Sequence, residues 1–165
     1  MKKLNKDDLI MIVQWGLFIL LAITSIIGRC YIFIPLRPYG FILIAIGFVL
    51  IMVSNIAHGS VNKLKLSAYP QPNSNAMLIT KGIYSYIRHP IYSGFIFFSC
   101  GTALLVGNFL SISVAILSLG FYYFKSSYEE RKLIETYSDY CEYLKGTGRF
   151  LPHLKRLFHN MNKVS

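Results

Sequence analysis

A run of polar residues opens the longest apolar stretch of the sequence, and its residue types could hold a charged ligand. The run covers residues 82–94 and contains Arg88 and His89 directly before Pro90, with Tyr92 shortly after. Proline suits the first turn of a helix, and the free N–H groups of such a turn favour an anion such as a carboxylate. Polar side chains at membrane depth are costly, so their presence beside an apolar stretch indicates function.

A second polar group follows the same apolar stretch. It contains Lys125 with Glu129 and Glu130, which lie about one helical turn further along. If the apolar stretch forms a helical hairpin, the start of one arm lies beside the end of the other. We therefore expect one pocket, surrounded by His89, Tyr92, Lys125 and Glu129. The alternative interpretation is structural: an arginine anchor, a surface ion pair of Lys125 and Glu129 worth under about 1 kcal/mol, and tyrosines in an aromatic belt.

The elements that carry these groups are apolar enough to lie in a membrane. The 165 residues are 54% apolar and only 15% charged, against about 25% charged residues in soluble domains. Three stretches lack any charged residue, at 9–28, 38–62 and 89–124. This pattern excludes disorder, a disulfide scaffold and an ordinary soluble globule, and it predicts a multi-pass membrane protein.

Net charge and cysteine spacing narrow the possible partners. The formal charge is +10, from 17 Lys and Arg against 7 Asp and Glu. This excess fits the positive-inside bias of a membrane protein beside acidic lipid better than it fits a nucleic-acid partner. Cys30, Cys100 and Cys141 have no short spacing, so neither a disulfide framework nor a bound metal is predicted.

Hydropathy and turn residues predict an all-α fold that forms a single membrane domain over residues 1–165. Because a crossing needs about 20 apolar residues, we place four spans at about 9–27, 39–56, 90–106 and 109–125. The last two form a hairpin that turns at Gly107 and Asn108, a strong turn pair. Each hairpin arm has only about 16 to 18 residues, which is short for a full crossing.

The distribution of basic residues predicts the orientation. With four spans, 15 of the 17 Lys and Arg residues lie on one side together with both termini, and only Arg29 and Arg37 lie on the other. By the positive-inside rule the richer side is cytoplasmic. We expect the membrane to be a bacterial cytoplasmic membrane or the endoplasmic reticulum.

The cytoplasmic parts are a loop and a tail. The loop at 57–88 contains Pro70 and Pro72 and is expected to be irregular. The tail continues the fourth helix and is expected to break at Gly146 and Gly148. After this break, apolar residues recur at helical spacing over 151–161 with basic residues between them, which predicts an amphipathic helix on an anionic surface.

The chain resembles the integral membrane methyltransferases related to isoprenylcysteine carboxyl methyltransferase and the phospholipid methyltransferases in two blocks, KGIYSYIRHPIYSG and EERKLIETYSDYCEYLKGTGRFLP. The matching positions are Gly82, Tyr84, Arg88, His89, Pro90, Tyr92 and Gly94, then Glu129, Glu130, Leu133, Tyr140, Tyr143, Arg149 and Pro152. The ordered pair of blocks around an apolar hairpin is specific. The resemblance covers about residues 76–152 and does not extend to the amino-terminal spans.

The resemblance implies S-adenosylmethionine as the cofactor, held at the cytosolic face by the two blocks. Carried over by position, the cofactor-binding residues are Ala76, Met77, Leu78, Ile79, Tyr84, His89, Pro90, Ile91, Tyr92 and Glu129. The cofactor's sulfonium and ammonium groups suit Glu129 and the face of Tyr92, and its carboxylate suits His89. Lys125 and Arg88 are the predicted catalytic residues.

The methyl acceptor is expected to be a lipid-soluble carboxylate. In the family's eukaryotic carboxyl methyltransferases an arginine one turn before the matching glutamate holds the acceptor. Lys125 stands there in this chain, keeping the charge without the two-pronged geometry. A carboxylate with a pKa of about 3.5 is already ionised and needs placement more than a base, which favours carboxyl methylation. The resemblance implies a prenylated cysteine as the acceptor.

Two alternatives stay open. An amine acceptor such as phosphatidylethanolamine would have to lose a proton first, and His89 is the nearby general base for such N-methylation. The chain could also be a non-catalytic membrane protein that keeps the hairpin for binding. In every case membrane lipids are expected partners.

A few polar and small residues inside the spans predict helix contacts. Gln14 and Asn55 are expected to bond between helices. Cys100 lies beside the small residues Ser99 and Gly101, which permit close helix packing.

Overall fold

Helices account for most of the described chain. The structure is a computed structural model that describes residues 5–27, 35–62 and 78–153. Within these ranges there is no β-strand, and the α-helices are α1 (Lys6–Ile27), α2 (Arg37–Asn62), α3 (Pro90–Val106), α4 (Phe109–Thr136) and α5 (Tyr140–Gly146). The all-α prediction is confirmed for this part of the chain.

Local sequence determines where the hairpin of α3 and α4 begins and turns. Pro90 is the first residue of α3, where its missing N–H has no cost. Gly107 ends α3 with a φ of 70°, in the left-handed region that glycine adopts freely. The side chain of Asn108 caps α4 by accepting a hydrogen bond from the backbone N–H of Ser111 at 2.7 Å. The predicted turn at Gly107 and Asn108 is confirmed.

Glycines let α2 and α3 lie very close together. A Cβ added at Gly47 would lie 2.6 Å from the carbonyl oxygen of Gly94, and one added at Gly101 would lie 2.6 Å from that of Gly40. Side chains cannot approach a carbonyl so closely, so the contact depends on glycine. Because Gly40 faces Gly101 and Gly47 faces Gly94, the two helices run antiparallel. The close packing predicted near Cys100 is confirmed at Gly101.

α1 packs along α4, also antiparallel. Lys132 donates to Asp7 at 3.1 Å, and Lys125 donates to Gln14 at 2.6 Å. Between these two contacts the chain advances by one heptad on α1 and goes back by one heptad on α4. The same face of α1 supplies its buried residues, which are Asp7, Ile10, Gln14, Leu21 and Thr24.

This packing sorts the helix ends into two groups. The start of α1, the end of α2, the start of α3 and the second half of α4 lie together, and we call this the site end. The far end holds the end of α1, the start of α2 and the turn of the hairpin. There the side chain of Asn108 donates to the carbonyl oxygen of Thr24 at 3.4 Å.

Length and exposed apolar surface make this an integral membrane protein. Among the described residues, the helices long and apolar enough to cross a membrane are Lys6–Ile27, Arg37–Ser60 and Phe109–Thr136. α3 has 17 residues and is about 26 Å long, less than the hydrocarbon core of about 30 Å. The predicted fourth span is therefore a shorter apolar helix. Large apolar side chains face outward, such as Ile26, which is 83% exposed.

Several boundaries differ from the sequence expectation. α2 continues to Asn62, into the predicted loop, where the sequence has no proline before Pro70 to end the helix. A 3₁₀ turn at Gly82–Ser85 lies in the same predicted loop. Asn55 does not bond between helices, since its amide donates to the carbonyl of Ile51 in its own helix at 2.7 Å.

The tail is partly as expected. α4 continues past the predicted span to Thr136, and α5 ends at Gly146 as predicted. A break between α4 and α5 was not predicted. There Tyr137 is extended and the hydroxyl of Ser138 donates to Asp139 at 2.9 Å, a local bond that competes with helix. Most of the amphipathic helix predicted over 151–161 lies outside the described residues, which end at 153.

Candidate active site

The first turn of α3 meets α4 through a tyrosine, a histidine and a glutamate. The hydroxyl of Tyr92 donates to Glu129 at 2.5 Å, and Nδ1 of His89 lies 3.7 Å from the other oxygen of the same carboxylate. The rings of His89 and Tyr92 stack with centroids 5.4 Å apart and an interplanar angle of 3°. The structure thus brings together three of the four residues expected to surround one pocket.

Lys125, the fourth residue, lies inside the bundle. Its side chain is almost wholly buried, at 1% exposed. The ammonium donates to the side-chain oxygen of Gln14 at 2.6 Å and lies 5.1 Å from the ring centre of Tyr92. The alternative of a surface ion pair is wrong for Lys125, because its side chain is buried. A buried ammonium needs hydrogen-bond partners, and Gln14 is one of them. α1 is also part of the site, which the sequence blocks alone did not indicate.

A row of aromatic rings leads from this polar group into the bundle. Tyr92 stacks on Tyr122 at 5.2 Å, Tyr122 stacks on Phe95 at 5.7 Å, and Phe95 meets the edge of Phe18 at 5.1 Å. These residues come from α1, α3 and α4. The rings form a continuous apolar layer that begins at the polar group, and Tyr122 in its middle is buried, at 3% exposed.

Glu130 is the centre of a separate ion-pair cluster beside the site. One carboxylate oxygen lies 2.9 Å from Nε of Arg88 and 3.2 Å from Nε2 of His89. The other oxygen lies 2.5 Å from Arg149. Glu130 is a matching position of the second sequence block, but it was not predicted as a site residue. Its partners come from distant parts of the chain, so only the tertiary structure reveals them.

Residues 147–151 hold Arg88 and His89 in place. Backbone N–H groups of Arg88 and His89 donate to the carbonyls of Gly148 and Arg149 at 2.8 and 3.1 Å, which forms a bridge between Ile87 and Gly148. A Cβ at Gly148 would overlap the carbonyl of Leu151, so this tight path needs glycine. The segment therefore orients the histidine that contacts both glutamates.

The side chain of Arg88 also binds the end of α5 and the segment that follows it. Besides Glu130, it donates to the carbonyls of Leu144, at 3.1 Å, and Thr147. The structure places the guanidinium in the Glu130 cluster, on the side of His89 that faces residues 147–151. Its predicted catalytic role stays a prediction.

The remaining predicted cofactor residues differ in their burial. Burial and the negative charge of Glu129 raise the pKa of Tyr84 to about 12, so its hydroxyl is neutral at physiological pH. Ile79 and Pro90 are buried, and Leu78 and Ile91 are half-buried. Ala76 and Met77 lie outside the described residues.

The residues present fit a zwitterionic cofactor with an additional positive charge. Glu129 has a carboxylate with 18% of its side chain exposed, next to the aromatic rings of Tyr84 and Tyr92, whose faces attract cations. The free N–H groups at the start of α3 are suited to a carboxylate. In the part of the chain that the structure describes, no group of three or more His, Cys, Asp or Glu could hold a metal ion.

Antiparallel apolar helices with a buried polar cluster at one end define the class of this protein, an integral membrane protein with a candidate site among its helix ends. The family model for Phospholipid methyltransferase matches residues 36–140. This match covers more than half of the chain, and the chain belongs to the phospholipid methyltransferase family. The resemblance seen in the two sequence blocks is confirmed.

Relatives with established names agree with this family. The chain is 38% identical over 82 residues to the Protein-S-isoprenylcysteine O-methyltransferase of Schizosaccharomyces pombe, covering 48% of this chain and 35% of the relative. It is 26% identical over 160 residues to Protein-S-isoprenylcysteine O-methyltransferase B of Arabidopsis thaliana, covering 91% of this chain and 79% of the relative. The chain thus spans about a third of the yeast relative and most of the plant one.

A solved structure has the same fold. The eukaryotic intramembrane Ras methyltransferase ICMT (isoprenylcysteine carboxyl methyltransferase) superposes with a TM-score of 0.63 at 23% identity. The match covers 90% of this chain and 54% of that chain. The amino-terminal helices, which carry no sequence block of the family, are thus included in the shared architecture.

Proposed function

We propose that this protein is an S-adenosylmethionine-dependent methyltransferase that esterifies the carboxylate of a lipophilic acceptor, with a prenylated cysteine as the expected acceptor. The observation that carries the proposal is the buried ammonium of Lys125, which lies 5.1 Å from the ring centre of Tyr92 while Tyr92 donates to Glu129. A cation and an anion thus contact the same ring inside a membrane bundle. This arrangement suits a cationic cofactor beside an anionic acceptor.

The cofactor side is centred on Glu129. Bound S-adenosylmethionine supplies a methyl group whose bond to a positively charged sulfur breaks as an acceptor oxygen bonds to it, with the electron pair left on sulfur. The Glu129 carboxylate accepts a hydrogen bond from Tyr92 and has lone pairs left for further donors. Tyr84 and Tyr92 provide faces for positive charge.

The acceptor side is centred on Lys125. Its ammonium neutralises and orients a carboxylate, which is ionised at neutral pH and needs no base. The aromatic row of Tyr122, Phe95 and Phe18 begins at the same place and offers an apolar surface to a lipid chain. The name of the yeast and plant relatives, Protein-S-isoprenylcysteine O-methyltransferase, supports a prenylated cysteine.

Arg88 acts in this proposal as a positioning residue. Its guanidinium is engaged with Glu130 and with two carbonyl oxygens, so it holds His89 and residues 147–151 in register. The predicted direct role in catalysis is assigned to Lys125 alone.

Phospholipid N-methylation is the second candidate. The description of the matching family model favours it. The acceptor amine would have to lose a proton, and His89 is the base that the site offers. The positive charge at Lys125 opposes a cationic headgroup, which is why we place this function second.

The nature of the product distinguishes these functions. Purified protein in lipid nanodiscs is incubated with methyl-labelled S-adenosylmethionine and an N-acetylated S-prenylcysteine, and we expect a methyl ester that releases labelled methanol in base. Base-stable label on phosphatidylethanolamine in the nanodisc would favour the second candidate. Failure to bind S-adenosylmethionine or S-adenosylhomocysteine would contradict both and favour a non-catalytic protein.

Variants of Lys125 test its role. A hydrogen bond to a charged group contributes about 1.5 to 3 kcal/mol, so Lys125→Ala should lower kcat/KM for the acceptor roughly 10- to 100-fold with nearly unchanged cofactor affinity. Lys125→Arg should preserve or increase activity, because it restores two-pronged binding. If Lys125→Ala instead weakens cofactor binding as much as loss of Glu129 does, the two residues form one structural pair and the acceptor role is excluded.

The orientation and the membrane are part of the proposal. The site end carries most of the basic residues, and we place it on the cytoplasmic side with both termini. The membrane is a bacterial cytoplasmic membrane or the endoplasmic reticulum, and the anionic lipids of its surface are expected partners.

A further inference from the structure

Gln14 is a buried amide that α1 brings to the site from outside the region with recognisable sequence blocks. It is 6% exposed, and it lies before residues 36–140, which match the family model. Its oxygen accepts a hydrogen bond from Lys125 at 2.6 Å. An apolar residue at position 14 would pack α1 against α4 without the cost of burying a polar group. Packing alone therefore does not explain why an amide contacts the ammonium of Lys125.

A second polar contact between α1 and α4, near the start of α1, provides the comparison. Asp7 pairs with Lys132 at 3.1 Å, and the side chain of Lys132 is 24% exposed. This contact lies one heptad away at the edge of the bundle, where it can dock α1 onto α4. Gln14 contacts Lys125, whose ammonium lies 5.1 Å from the ring centre of Tyr92. Asp7 therefore docks α1 onto α4, whereas Gln14 contacts the site.

We propose that Gln14 is a positioning residue that holds Lys125 for an acceptor carboxylate and sets the preference for an anionic acceptor. The proposal rests on the proposed carboxyl methylation. The amide oxygen fixes the ammonium, while the amide nitrogen on the same carbon is a second donor beside it. Lysine and glutamine together thus present two donors, as a single arginine would.

The neutrality of Gln14 is central to this role. Gln14 orients Lys125 without adding a second negative charge to that of Glu129, which already attracts the ammonium. A carboxylate at position 14 would form an ion pair with Lys125 and weaken the attraction between its ammonium and an acceptor carboxylate. Gln14→Glu keeps the size and the hydrogen bond to Lys125, so it removes the charge preference while the contact between α1 and α4 remains.

The test compares Gln14→Glu with Asp7→Asn in nanodiscs, using N-acetylated S-prenylcysteine and labelled cofactor. Gln14→Glu should raise the acceptor KM roughly 10- to 100-fold without changing cofactor Kd or lowering Tm. Asp7→Asn should lower Tm and leave the acceptor KM as in the unaltered protein. Gln14→Met, which removes the amide and keeps the volume, should raise the acceptor KM as well.

Three results would overturn the inference. An unchanged acceptor KM in Gln14→Glu means that the charge of this partner is irrelevant. An equal rise of KM in Asp7→Asn means that Gln14 acts only by docking α1. A parallel loss of cofactor binding means that Gln14 supports the whole site. If the unaltered protein forms no methyl ester, the proposed function itself fails, which is a distinct result from these three.

Discussion

At the scale of single residues, two consecutive glutamates have different tasks. Glu129 faces Tyr92 and His89, whereas Glu130 faces Arg88 and Arg149 as well as His89. Neighbours on a helix point about 100° apart, so one can face the interior of the site and the other the segment that supports it. The first is expected to bind and the second to stabilise.

Exchanging each glutamate for glutamine separates these tasks. Glu129→Gln removes a charged hydrogen-bond partner, so affinity for S-adenosylhomocysteine should fall roughly 10- to 100-fold with a nearly unchanged Tm. Glu130→Gln breaks ion pairs with two arginines and should lower Tm. Calorimetric titration and thermal unfolding in detergent measure both. A drop in Tm from Glu129→Gln equal to that from Glu130→Gln would contradict the division.

The sequence allowed part of the site to be predicted at this scale. His89, Tyr92, Lys125 and Glu129 were expected to meet because a hairpin places its ends together, and they do meet. The partners of Glu130 and Lys125 could not be predicted, because they are distant in the sequence. Gln14, for example, lies 111 positions from Lys125. Gln14 was expected to bond between helices, but the pattern of one sequence gave no way to identify its partner.

At the scale of elements, short-range signals predicted helices better than they predicted breaks. Pro90, Gly107 and Asn108 act through their own backbone preferences, and the hairpin they define is present. The break after Thr136 and the path of residues 147–151 depend on distant contacts. Ser93, for example, donates to the carbonyl of Phe150 at 2.7 Å, and no local pattern encodes such a bond.

The close packing of α2 on α3 makes a prediction at this scale. Gly47→Ala would push a methyl group to 2.6 Å from the carbonyl oxygen of Gly94. The helices must then separate, at a cost of about 1 to 3 kcal/mol. Gly120→Ala in α4 is the matched control, because nothing lies within 4 Å of a Cβ there and alanine favours helix by about 1 kcal/mol.

Thermal unfolding in detergent distinguishes the two glycine variants. We expect a lower Tm for Gly47→Ala and an unchanged or higher Tm for Gly120→Ala. The activity of Gly47→Ala should fall at temperatures where the unaltered protein is stable, because α3 carries His89 and Tyr92 at its start. Equal Tm values for both variants would mean that α2 and α3 are less closely coupled than their contact distances indicate.

At the scale of the whole molecule, charge and chemistry lie at the same end. Arg37 is at the far end, whereas Lys81, Arg88 and Arg149 are near the start of α3. In the proposed orientation the site end faces the cytoplasm, from which a soluble cofactor can reach Glu129, while the aromatic row leads from Tyr92 into the bundle.

Single-cysteine labelling tests this arrangement. In a variant with Cys30 and Cys100 changed to serine, the exposed Cys141 reports on the site end. In the same variant with Cys141 also changed, Leu36→Cys, at a position 41% exposed, reports on the far end. Three long helices connect these two ends. A membrane-impermeant maleimide should therefore modify Cys141 only from the cytoplasmic face and Leu36→Cys only from the opposite face. Modification of both from the same face would exclude the proposed topology, and exchanged faces would keep the helix arrangement but reverse its orientation.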